Sequence, residues 1–154
     1  MITFEDLAPG TRLDLGRWRV DRDEAIAIAR RWEPQPHHVD EAAAAASPFG
    51  GLTVCSLYLF GVCTRLFFDH DPPIAVLAML GKDGLRLPHP ARPGDVLVYT
   101  TEVVERRRSE SRPDRGIVRL RDELAREAGE VVLAQDVTLL VRAAAVADEP
   151  NASG

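Results

Sequence analysis

The chain has 154 residues, 45% of them hydrophobic and 28% charged, the size and makeup of one domain with a buried core. Its net charge of -5, with no basic stripe interleaved with aromatics, argues against nucleic acid as the main partner. Two cysteines, Cys55 and Cys63, fit neither a disulfide framework nor a zinc site, so reduced core thiols are expected and no metal is.

Met1 to Asp6 lacks the basic and apolar regions of a signal peptide, and a cytoplasmic protein is expected. Thr11 to Val20 alternates loosely and predicts a strand. Asp21, with Glu24 three residues on, predicts a capped helix that ends near Trp32. Pro34 and Pro36 then predict extended chain. Asp40 is placed to cap a short alanine-rich helix that ends near Ser47. Leu52 to Phe68 is apolar on nearly every face, which predicts a helix buried all round and about 25 Å long. It is too short and too polar at Arg65 for a membrane span.

Beyond Pro73 the pattern turns to strands. Ile74 to Leu80 predicts one, and Leu85-Arg86-Leu87 begins another. Arg92-Pro93-Gly94-Asp95 predicts a turn. Val96 to Val104 and the Val118/Leu120 alternation predict two more strands around a charged hairpin loop, Arg106 to Gly116. Val131 to Val141 is the last, and residues 143–154 read as a flexible C-terminal tail. One antiparallel sheet wrapped around one helix satisfies this order, an α+β class.

The most chemical segment is Glu33-Pro34-Gln35-Pro36-His37-His38-Val39-Asp40, where a carboxylate precedes an imidazole by five residues on a proline-stiffened stretch. Phe49-Gly50-Gly51-Leu52 leads into the apolar helix, and Arg92-Pro93-Gly94-Asp95 and Ser111-Arg112-Pro113-Asp114-Arg115-Gly116 follow. Taken together and in order, these segments resemble the MaoC-like hot-dog family, which includes R-specific enoyl-CoA hydratases and related dehydratases. That family's motif runs Asp-x-Asn-Pro-(Leu/Ile/Val)-His-x-Asp, and many relatives carry Asp-Pro-Gln-Pro-Phe-His.

The resemblance implies a single hot-dog domain over residues 1–142. It implies hydration of trans-2-enoyl thioesters, or the reverse dehydration of β-hydroxyacyl thioesters, by Glu33 and His38 as an acid–base pair. The thioester carbonyl is expected near Cys55 and Ser56 at the helix start, with Gly51 in the loop before it, because a helix N-terminus stabilises a developing oxyanion. The implied partners are an acyl-CoA or acyl-carrier-protein thioester and a second copy of the chain, as a homodimer or dimer of dimers. No cofactor and no membrane are implied.

Four positions depart from the pattern. Glu33 stands for aspartate, His37 for an apolar residue, and Cys55-Ser56 for a frequent Ser-Gly, in which the serine orients the carboxylate. They leave open a non-catalytic acyl-thioester-binding protein or dimer partner and, less favoured, a thioesterase. The hairpin arginines are open to two readings, CoA-phosphate contacts or a solvated loop.

Overall fold

Alternating burial along the second half of the chain builds the sheet, as seen in a computed structural model that describes residues 1–144. Strand β3 (Val96–Arg108), β4 (Arg115–Arg126) and β5 (Val131–Arg142) each turn one face inward. Strand β1 (Arg12–Arg19) pairs with β3, and β2 (Val76–Arg86) pairs with β5. The pairings among these five strands are antiparallel, in the order β1-β3-β4-β5-β2, and an isolated parallel bridge joins Ile2 to Ile74.

Helix α1 (Arg22–Trp32) follows β1, then α2 (Pro36–Val39), α3 (Glu41–Ala46) and α4 (Ser56–Asp69). Tyr58, Leu59, Val62, Cys63 and Leu66 of α4 share one core with Leu97, Leu124 and Leu133 of the sheet. Each leucine buried this way contributes about 1.5–3 kcal/mol. A second core gathers Phe4 and Leu7 over Val103, Val118 and Val141. Phe4 opens a short 3-10 turn, Phe4–Asp6, which the sequence pattern does not announce.

Several expectations need correction. The helix expected from Leu52 starts at Ser56, because Thr53 N–H bonds to the His37 carbonyl (3.1 Å) and Val54 N–H to the Ala91 carbonyl (2.8 Å). Those bonds hold residues 52–55 extended. Nor is α4 buried all round: Leu57 is 41% and Phe68 67% exposed, and Arg65 faces out. Pro36 does not prolong an extended segment but starts α2, where its missing N–H costs nothing.

The two strands expected on either side of Gly81 are one, β2, with irregular register around Gly81 and Gly84 that absorbs the break. The hairpin loop is shorter than expected, since β3 runs to Arg108 and β4 begins at Arg115. Ala143, assigned to the tail, is only 5% exposed, and the rest of the expected tail, residues 145–154, lies outside the described residues. Among the described residues no helix is long and apolar enough to cross a membrane.

Candidate active site

Two prolines shape the segment that carries the carboxylate and the imidazole. Glu33 is the C-cap of α1, its N–H bonded to the Ala29 carbonyl (2.8 Å), and Pro34 forbids a further turn. Gln35 N–H folds back onto the Glu33 carbonyl (2.8 Å), and Pro36 at once starts α2. One turn later stands His38, only 8% exposed. Asp40 ends α2 and caps α3 as expected, its carboxylate accepting from Ala43 N–H (2.7 Å).

The His38 ring is held from behind. Its Nδ1 lies 2.8 Å from the Thr53 carbonyl oxygen and 3.1 Å from the Thr53 hydroxyl. A carbonyl only accepts, so Nδ1 carries the proton and donates, and Nε2 of the neutral ring keeps its lone pair. Nε2 faces Glu33 Oε1 at 3.6 Å. That separation is longer than a hydrogen bond and lets both atoms contact one water or one substrate hydroxyl. The other Glu33 oxygen, Oε2, accepts from the Ser56 hydroxyl at 2.9 Å. The carboxylate is therefore tied to the first residue of α4, where the N–H groups of the opening turn have no intrahelical partner.

The remaining expected site residues separate. His37 packs against the His38 ring (centroids 4.2 Å apart) and Phe49 (4.9 Å), and burial together with the neighbouring His38 lowers its pKa. Cys55 is fully buried as the N-cap of α4 and makes no capping bond through its side chain; burial pushes its thiol pKa up. The carboxylate-orienting hydroxyl thus sits on Ser56, one position after the residue aligned with the relatives' serine. A Cβ on Gly51 would meet the Arg92 guanidinium at 3.3 Å, and no other atom outside its neighbours comes within 4 Å, so Gly51 lies against Arg92, with no contact to Glu33 or His38.

Two residues of this site had no functional reading in the sequence. Thr53 lies inside the apolar stretch from Leu52 to Phe68, where no role was expected of it, yet it fixes His38. Arg92 registered as part of a turn and of the family resemblance, with no role of its own. Its guanidinium donates to the carbonyls of Phe49 (2.6 Å) and Leu52 (3.4 Å), pinning the loop that delivers Thr53 and the start of α4. Of the hairpin arginines, Arg106 donates to the Phe4 and Glu5 carbonyls, Arg108 pairs with Glu5, and Arg115 pairs with Asp114.

A cavity of about 250 Å³ opens between the later turns of α4 and strand β2, lined by Cys63, Phe67, Met79, Tyr99, Asp122 and Val137 among others. It does not include Glu33, His38 or Ser56. Ser56, Phe60, Cys63 and Phe67 nevertheless share one stripe of α4, by their i, i+4, i+7 and i+11 spacing, so the helix face runs from the carboxylate to the cavity.

The chain matches the MaoC-like domain family over residues 8–123. No curated protein matches it. Among solved structures, a MaoC-like dehydratase from Rhodospirillum rubrum is 36% identical, with a TM-score of 0.88 over 95% of this chain and 100% of that one. The unliganded R-hydratase of Pseudomonas aeruginosa is 20% identical, with a TM-score of 0.74 over 99% and 96% of the two chains. A Mycobacterium tuberculosis protein described as a double hot-dog fold is 22% identical, with a TM-score of 0.78 over 96% of this chain and 46% of that one. The last two likenesses speak for the fold alone. With the family match spanning most of the sequence, the chain belongs to the MaoC-like domain family, on a hot-dog fold.

Proposed function

We propose that the protein hydrates trans-2-enoyl thioesters, or dehydrates β-hydroxyacyl thioesters in reverse, with Glu33 and His38 as its catalytic pair. The observation that supports this most is the 3.6 Å approach of His38 Nε2 to Glu33 Oε1, with each group held from behind by Thr53 and Ser56.

In the hydration direction a water lies between the two side chains. Glu33 accepts one of its hydrogens and orients it, and His38 Nε2 takes the other as a proton. The oxygen attacks the β carbon, and the π electrons move through the α carbon onto the thioester oxygen. N–H groups in the first turn of α4 stabilise that enolate. The imidazolium, steadied by the Glu33 carboxylate, returns its proton to the α carbon. One water is added, both new bonds form on one face, and His38 ends neutral.

The acyl handle is CoA or an acyl-carrier protein, and the setting is cytoplasmic. The protein works as a homodimer or a dimer of dimers. Strand β2 supports this pairing: it is an edge strand with Leu77, Met79, Leu80 and Leu85 exposed, an arrangement that invites coverage. Light scattering that finds only a 16.9 kDa species would contradict it.

The test of function is the loss of enone absorbance on adding crotonyl-CoA and longer enoyl-CoAs. Wild type should turn over at least one of them and His38→Ala should not. Equal, negligible rates for both proteins at every chain length would end the hydratase reading. Tight calorimetric binding of acyl-CoA without turnover would then favour the non-catalytic binding protein.

A further inference from the structure

The inner face of β4 reads Val118, Leu120, Asp122, Leu124, so one carboxylate interrupts an apolar row. Asp122 is 2% exposed. A leucine there would avoid the several kcal/mol that burying a carboxylate costs. Three donors meet it instead. Its Oδ1 accepts from Thr101 (2.7 Å), and its Oδ2 accepts from Tyr99 (2.5 Å) and from the Gln135 amide (3.3 Å). Thr101, Asp122 and Gln135 are register partners across three strands, forming one polar layer.

This layer has more acceptors than donors. The Gln135 NH₂ must face the carboxylate, since an amide oxygen there would be repelled. That orientation leaves Gln135 Oε1 buried with no donor. Asp122 Oδ1 also keeps an open lone-pair direction beyond Thr101. Tyr99 and Asp122 both line the cavity between α4 and β2, among apolar neighbours such as Phe67, Val76 and Leu139. Lys82 lines it too, with its ammonium 5.4 Å from the Phe60 ring centroid.

We propose that this cavity is a subsite for an acyl chain bearing a hydroxyl group, recognised by Asp122 in its wall. The inference rests on the thioester reading above and names the substrate class. A hydroxyl donates to Asp122 and, at the same time, accepts from a donor such as Lys82. A plain alkyl end leaves the carboxylate facing hydrocarbon, and a carboxylate end is repelled by it. The α4 stripe sets the reach. Cys63 lies about 10 Å along the axis from Ser56, the span of roughly eight extended carbons. The reacting double bond then lies at Glu33 and His38, and the hydroxyl at the polar layer.

The experiment compares trans-2-enoyl-CoAs of about six to twelve carbons with the same thioesters carrying a terminal hydroxyl, in kcat/KM. Calorimetric Kd values for the saturated counterparts accompany it, so the subsite is judged even without turnover. Wild type should favour the hydroxylated member by about tenfold or more at the matching length. Asp122→Leu should erase or reverse that preference while crotonyl-CoA turnover, which does not reach the layer, stays within about twofold. Gln135→Met serves if Asp122→Leu fails to fold, and should also weaken the preference. Equal or better handling of the plain chain at every length, or a preference untouched in both variants, overturns the subsite. Failure of crotonyl-CoA turnover in wild type overturns the hydratase reading instead, and the binding preference still decides the subsite.

Discussion

Glu33→Asp is the sharpest test of the catalytic geometry. Aspartate is the residue of the family motif, so resemblance alone expects the change to be harmless or helpful. The structure expects harm. Glu33 reaches Ser56 Oγ at 2.9 Å and His38 Nε2 at 3.6 Å. Its backbone is fixed by the α1 C-cap bond to Ala29 and the prolines at 34 and 36. Removing one methylene withdraws the carboxylate by about 1.5 Å, which breaks the Ser56 bond and widens the gap to His38. Misplacement by about 1 Å costs on the order of a hundredfold, or about 2.7 kcal/mol of barrier. Stopped-flow hydration of a short enoyl-CoA should therefore show kcat reduced about a hundredfold in Glu33→Asp. Glu33→Gln, which keeps the length and removes the charge, should be at least as slow. A Glu33→Asp variant as fast as wild type would refute the reasoning, because the carboxylate would then not be placed by the contacts described.

Arg92→Ala removes the two carbonyl contacts that pin residues 49–52, and kcat should fall about tenfold or more while KM moves less; Arg92→Lys, reaching one carbonyl at best, should recover only part of it in the same assay. Burial raises the Asp122 pKa in the folded state, so its proton is held more tightly folded than unfolded. Its contribution to stability is therefore full below the ordinary aspartate value of about 3.9 and is lost as pH rises through the elevated folded value. Urea unfolding from pH 4 to pH 7 should show wild type losing stability relative to Asp122→Asn, and a flat difference would contradict the shift. A Cβ on Gly116 collides with the Phe4 ring, so Gly116→Ala should destabilise by about 1–3 kcal/mol in chemical denaturation, with activity retained in the folded fraction.

The sequence was most legible where the governing contacts are short-range. Asp21 and Asp40 cap the helices that follow them, each through a bond spanning three residues. The Glu24 side chain does not return a bond to the Asp21 N–H, however: it accepts from the Tyr58 hydroxyl instead. Residues 96–141 show their strands through a two-residue period, and the prolines around Gln35 announce a rigid segment bearing Glu33 and His38.

What the sequence by itself determined is the order of elements, the family resemblance and the segment that carries the carboxylate and the imidazole, since caps, turns and alternation act between near neighbours. The family resemblance already placed the imidazole at His38 rather than His37; tertiary structure alone decided that Ser56 and not Cys55 holds the carboxylate, and where α4 begins. It also decided that Thr53 and Arg92 belong to the site. Each of those outcomes turns on bonds between residues 15 to 43 positions apart, such as His38 to Thr53 and Arg92 to Phe49. Adjacent side chains diverge to different sides of the backbone, so a choice between neighbours is made only when distant segments pack against one of them.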